Sequence, residues 1–176
     1  MKYLYTPKDF AVFFLVSDFS WSYERVIIND VFHSKINLVP VKYRKNKKLF
    51  FQHIYNEISK FDGTLDDEDF IALTLLLRDT DQPLQIEYKI NSEKNFLERY
   101  FKIIKFELLY IKDRDYKKVK LRRLLKVFGY KRRSQKLIEN IKRTLSALGL
   151  STYLKNHIPC NIAEINIDDM IIIRLK

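Results

Sequence analysis

The chain has 176 residues, 47% of them apolar and 14% aromatic, which suits a globular fold of one domain or two small ones and excludes a disordered one. Its formal net charge is +11, and 14 of its 33 Lys and Arg residues, but 3 of its 22 acids, fall between Lys112 and Arg143. That one stretch carries a net +11, so the remaining residues are neutral in sum. Focused positive charge of this kind is the footprint of a polyanion binder.

Three glycines and four prolines leave few tight turns, which favours helices over a sandwich or barrel. The lone Cys160 excludes an internal disulfide and a cysteine-cluster zinc site, and no metal or other cofactor is expected. No run approaches the ~20 apolar residues of a membrane-spanning helix. The start of the chain does not read as a signal peptide, because Lys8 and Asp9 precede the short apolar run Phe10 to Val16. A cytoplasmic location without a membrane partner is the expectation.

In chain order, Met1 to Tyr5 reads as a lead-in or short strand. Thr6 and Pro7 read as the cap and first turn of a helix bearing Phe10, Phe13 and Phe14. A second helix is predicted from Ser20 or Ser22 to Ser34, with Val26, Ile27, Val31 and Phe32 on its apolar face. These aromatic residues suit a core, with a binding groove as the alternative. Asn37 to Lys48 is a connector broken by Pro40. Its basic residues, Lys42 to Lys48, suit either a solvated loop or an auxiliary phosphate contact. Leu49 to Phe61 reads as a third helix and Asp62-Gly63-Thr64 as a turn. A helix with Phe70, Leu73, Leu76 and Leu77 on its buried face follows. Leu84 to Ile90 alternates like a strand. A long helix then runs from Asn91 or Ser92 to about Ile111, and the domain boundary is predicted at its end.

Lys120 to Phe128 reads as a short amphipathic helix with Leu121, Leu124, Leu125 and Phe128 in helical register, stopped by Gly129. A second helix is predicted from Arg132 to Leu148, with Leu137, Ile138, Ile141, Leu145 and Leu148 buried and Gly149 ending it. Helix, glycine-bearing turn, helix is the helix-turn-helix plan. Ile162 to Ile167 and Met170 to Leu175, around Asp168-Asp169, read as a two-stranded wing. The fold class expected is mainly α (α+β), with a helical domain over residues 1–111 and a winged helix-turn-helix over 112–176.

On the second helix Arg132, Lys136, Asn140 and Arg143 form a polar stripe. Arg and Asn are the side chains that read guanine and adenine edges, while Lys and further Arg hold phosphate. The expected nucleic-acid contacts are Lys117, Lys118, Lys120, Arg122, Arg123, Lys126, Lys131, Arg132, Arg133, Lys136, Asn140 and Arg143. The bland alternative is a solvated helix face.

The segment Leu124-Leu125-Lys126-Val127-Phe128-Gly129-Tyr130-Lys131-Arg132-Arg133-Ser134, followed by Ile138, Ile141, Leu145 and Gly149-Leu150-Ser151-Thr152, resembles a winged-helix-like module of bacterial restriction and abortive-infection proteins. The resemblance covers residues 117–176. It departs at Ser134, where glycine is usual, and at Leu154-Lys155-Asn156, which replaces a Pro-Asp-Phe-like segment. It implies a DNA-binding or substrate-sensing adaptor in anti-phage defence, and the function expected of the whole chain is a non-catalytic DNA-binding component of a bacterial defence or regulatory system. Double-stranded DNA is the partner expected for the basic module, and a protein partner or second copy for residues 1–111.

One enzymatic constellation stands beside this reading. Glu87 and Lys89 alternate on the candidate strand with Asp79 and Asp81 ahead of them, a spacing reminiscent of PD-(D/E)xK nucleases, whose acids hold Mg²⁺. Exposed strand charges explain the triplet as well. His33, His53 and His157 are scattered, and no glycine-rich phosphate loop is present.

Overall fold

In the computed structural model, which describes residues 3–63, 77, 93–127, 130 and 132–176, Thr6 begins the first helix. Its hydroxyl accepts from Asp9 N at 3.3 Å, and the Asp9 carboxylate accepts from Thr6 N at 2.8 Å. This reciprocal cap satisfies two amides that the first turn would otherwise leave open. Helix α1 spans Pro7–Ser17, α2 spans Trp21–Ser34 and α3 spans Lys47–Gly63, with single 3-10 turns at Ile36–Leu38 and Val41–Tyr43. They belong to the first of two compact units, residues 1–67. Phe50 of α3 is its hub, meeting Phe10, Phe32 and Tyr43 edge-on at 5.6, 5.3 and 5.0 Å between ring centroids. The aromatic cluster is therefore core and not groove.

Helix α2 corrects one expectation. Its buried positions are Glu24, Ile27, Ile28 and Val31, spaced i, i+3, i+4 and i+7. Val26 lies off that stripe and is 58% exposed. Two of the connector's five cations are engaged locally through hydrogen bonds. Arg44 donates to Val39 O and Asn37 O, and Lys47 to Asn29 Oδ1, which favours the loop reading over a phosphate contact.

Glu24 is a carboxyl on a buried stripe. Burial raises its pKa, against the opposing pull of the Tyr55 hydroxyl, which donates to Glu24 Oε2 at 2.6 Å. A raised folded-state pKa adds stability that is fully present below the ordinary carboxyl range near ~4.3 and is lost as pH rises through the folded value. Glu24→Gln keeps an acceptor for Tyr55 without the charge. The stability of this variant relative to wild type should therefore improve between pH 4 and pH 7 in urea melts. A difference that stays flat would show that Glu24 titrates normally, and one that moves the other way would show that folding lowers its pKa; either refutes the shift.

The second unit, residues 68–176, holds α4 (Glu93–Tyr110), β1 (Lys117–Lys120), α5 (Leu121–Val127), α6 (Gln135–Leu148), β2 (Leu150–Tyr153) and β3 (Met170–Leu175). The expected boundary after Ile111 therefore gives way to one near residue 67. The reason lies in α4, which buries Phe96, Leu97, Tyr100, Phe101, Ile103, Ile104 and Phe106. Within this unit α4 packs against α6, and Lys105 Nζ donates to Leu148 O at 2.7 Å.

The strands form one antiparallel sheet in the order β1-β3-β2. Register pairs Val119 with Ile171 and Lys118 with Ile172 on one side, and Thr152 with Ile173 and Tyr153 with Ile172 on the other. Val119, Leu150, Ile171 and Ile173 face inward and are buried. The protein is thus α+β, with helices predominating and a small three-stranded sheet. The wing as expected is corrected: β3 is right, but its hairpin partner is Leu150–Tyr153, and Ile162 to Ile167 lies in turns. The predicted Leu84–Ile90 strand, the Gly129 stop and the Glu87–Lys89 constellation lie outside the described residues, as does the Phe70–Leu76 stripe; Leu77 is buried.

Candidate nucleic-acid interface

Ser134 fixes where α6 starts. Its backbone is extended and its hydroxyl accepts from Leu137 N at 3.1 Å, an N-cap. The helix therefore begins at Gln135, three residues later than expected, and Arg132 stands ahead of it. Leu137, Ile138, Ile141, Leu145 and Leu148 are buried, as their spacing predicts. Arg132, Lys136, Lys142 and Arg143 are exposed, and Asn140 is half-buried. Lys136, Asn140 and Arg143 share one helix face at i, i+4 and i+7. Glu139 is the acid of this helix, and it accepts from Gln135 Nε2.

Gly149 ends α6 in the left-handed region at φ +68°, with its N–H directed to Leu145 O and Ser146 O. A Cβ there would meet nothing within 4 Å. The cost of adding one is thus conformational alone. Gly149→Ala is expected to lose about 1–2 kcal/mol of stability, and Gly149→Asn less, because asparagine tolerates this backbone. Equal losses in chemical denaturation would refute that assignment.

The remaining expected contacts divide by what holds them. Lys117 is corrected: it is 7% exposed, its Nζ donates to Leu77 O at 2.6 Å and it lies 3.3 Å from the buried Glu107. It is a core cation and cannot reach a phosphate without leaving that pocket. Arg133 is half-buried and donates through Nη1 to Ile162 O and Ala163 O, tying the turn after β2 to the start of α6. Arg122 makes a two-pronged pair with Asp168 at 2.5 and 2.6 Å. That hydrogen-bonded partner holds the Asp168 carboxyl below its ordinary range and raises the Arg122 guanidinium. Backbone joins the same elements, since Leu121 N and Arg122 N donate to Asp169 O and Ile167 O and so cap α5. Arg123 is half-buried, Lys126 is exposed, and Lys131 lies outside the described residues.

Lys118 and Lys120 are exposed on the outward face of the sheet and not on α6. Beside them are two groups that the sequence reading passed over, Tyr116 and Arg174. The Tyr116 ring lies 5.2 Å from Lys118 Nζ and 5.5 Å from Arg174 Cζ. Their signal was the alternation of Tyr116, Lys118 and Lys120, masked by the intervening lysine.

Between α6 and the β2 segment lies an open groove of about 390 Å³, lined in part by Lys142, Ser146, Thr152, Cys160 and Asn161. Burial pushes the Cys160 thiol up, so it is protonated at neutral pH and a poor nucleophile. Its backbone N–H donates to Thr152 O, and the Thr152 hydroxyl to Cys160 O, so this segment covers the outer edge of β2. His53 accepts or donates within a 2.8 Å bond to the Tyr43 hydroxyl in the first unit. Among the described residues no group of three His, Cys, Asp or Glu side chains could hold a metal ion, and no helix is long and apolar enough to cross a membrane.

No protein-family model matches the chain, and no curated protein or solved structure is significantly similar to it.

Proposed function

We propose that residues 93–176 are a winged helix that binds duplex DNA through α6, and that the protein is a non-catalytic component of a bacterial defence or regulatory system. The observation that carries this is the outward face of α6. Lys136, Asn140 and Arg143 stand together on it, with Arg132 ahead of the helix, above a buried stripe that is apolar except for Thr144, whose hydroxyl donates to Asn140 O. An exposed helix of this width fits the major groove, where Arg and Asn meet base edges and Lys meets phosphate. The element order helix, strand, helix, helix, strand, strand, with the sheet arranged β1-β3-β2, supports the winged-helix reading. The sequence resemblance supports the defence context. In the same reading residues 1–67 serve a protein partner or a second copy.

A salt-titrated anisotropy measurement with a random duplex tests this. If about five phosphates are neutralised, log affinity should fall against log salt with a slope near about −4.5. No cleavage should accompany binding in Mg²⁺ or Mn²⁺. The absence of binding at low salt would favour a protein adaptor, and metal-dependent cutting would favour the nuclease.

A further inference from the structure

We propose that the outward face of the sheet is a second binding surface, for single-stranded DNA. The strands place Lys118 and Lys120 of β1, Ile172 and Arg174 of β3 and Tyr153 of β2 on this face, and Tyr116 joins them at the approach to β1. The strand positions of the face carry three cations and no acid. Of the acids nearest in sequence to β3, Asp169 accepts from Asn166 N, and Asp168 pairs with Arg122 and offsets part of the Lys120 charge. With three cations and no acid at its strand positions, the face still presents net positive charge to a polyanion.

The apolar part of the face says which polyanion. Tyr116 is 43% exposed and Met170 is 40% exposed, on a face that also carries Lys118, Lys120, Arg174, Ser151, Tyr153 and Ile172. An exposed tyrosine among cations, here Tyr116 with the half-buried Tyr153 across the sheet, gains by stacking on base faces, and a duplex hides those faces while a single strand offers them. Tyr116 already holds two cations over its ring, an arrangement that a base can join, since arginine planes stack on bases as aromatic rings do. The width of the sheet is two strand spacings, roughly 10 Å, which suits one strand laid across it. RNA recognition turns on the 2′-hydroxyl. Stacking on tyrosine and phosphate contact by lysine and arginine need no 2′-hydroxyl, and the strand positions of the face offer only the Ser151 and Tyr153 hydroxyls to accept from one, so DNA is the assignment. This surface is distinct from the α6 face and its binding does not depend on the duplex reading.

The test uses the full chain with a labelled 12-mer of thymidylate and, separately, a labelled blunt duplex. Wild type should bind the 12-mer at low salt. Tyr116→Leu with Tyr153→Leu should weaken that binding at least tenfold, Tyr116→Phe should retain it, and both should leave duplex affinity within twofold. Lys136→Gln with Arg143→Gln should do the reverse. If the double tyrosine variant melts early, Lys118→Gln with Lys120→Gln takes its place, both side chains being exposed, and the same selective loss is expected. The inference is overturned if wild type does not bind the 12-mer, or if neither variant pair weakens it. It is overturned as well if the α6 changes abolish 12-mer and duplex binding alike, or if a uridylate 12-mer binds tenfold more tightly. Failure to bind duplex with selective 12-mer binding intact would sink the α6 reading and leave this one standing.

Discussion

Glu107→Ala is expected to cost about 3–5 kcal/mol, the largest loss from any single change on the charged residues described. Glu107 is 2% exposed and lies 3.2 Å from Arg114 Nη1 and 3.3 Å from Lys117 Nζ. Lys117 is itself buried, and among the described residues its ammonium has as its other partner the carbonyl of Leu77. Removing the carboxylate strands a buried cation beside a neutral acceptor, and desolvation is then poorly compensated. Lys117→Met should cost less, because Arg114 is 39% exposed on its side chain and remains beside Glu107. Glu107→Leu with Lys117→Met should recover much of the loss, since a buried pair replaced by apolar groups of similar volume is often neutral. Urea denaturation of the four proteins decides it. If the double change costs as much as Glu107→Ala alone, charge pairing is not what Glu107 supplies.

That pair also explains why β1 was illegible. Lys117-Lys118-Val119-Lys120 has one apolar residue, and nothing local marks Lys117 as an inward position. Its burial rests on an acid ten residues earlier on α4, and no periodicity reports a partner of that kind. The misread wing has the opposite cause. Ile162 to Ile167 is apolar-rich like a strand, but the polar residues in and beside it bind their own backbone. Asn161 Oδ1 accepts from Ala163 N, Asn166 Oδ1 from Asp168 N and Asp169 Oδ2 from Asn166 N. Side-chain to backbone bonds of this sort compete with a strand ladder and win here. Signals that are local survived intact. Thr6 with Pro7 and Gly149 mark helix ends by chemistry confined to a turn, and the α6 stripe follows from the helical period alone. The start of α6 slipped because Arg132 and Arg133 extend the helical pattern, while the Ser134 hydroxyl that ends it is legible only as a cap.

Ile141→Ala should cost about 2–5 kcal/mol, whereas changing Lys136 and Arg143 on the same helix should shift stability by less than ~0.5 kcal/mol each. Ile141 is fully buried at the centre of the α6 stripe, with Leu137, Leu145 and Leu148 also enclosed. Truncation removes its transfer free energy and leaves a cavity that neighbouring helix backbone cannot fill. Lys136 and Arg143 are exposed, so their loss leaves no void and no unpaired buried group. DNA affinity should respond in the other direction. An Arg143→Gln change should weaken binding by about 1–3 kcal/mol with altered preference at one base position, if its guanidinium meets a base edge. Lys136→Gln should weaken all sequences alike and lower the salt slope by about one. Arg132 stands ahead of the Ser134 cap, so its contribution should follow the lysine pattern, as a phosphate contact at the mouth of the groove. A solvated face with no ligand would lose neither stability nor affinity. Duplex binding by the Arg132→Gln, Lys136→Gln, Asn140→Ala, Arg143→Gln protein at wild-type strength would therefore remove α6 as the DNA-reading element, while a stability loss in that protein as large as that of Ile141→Ala would mean the face is an internal contact.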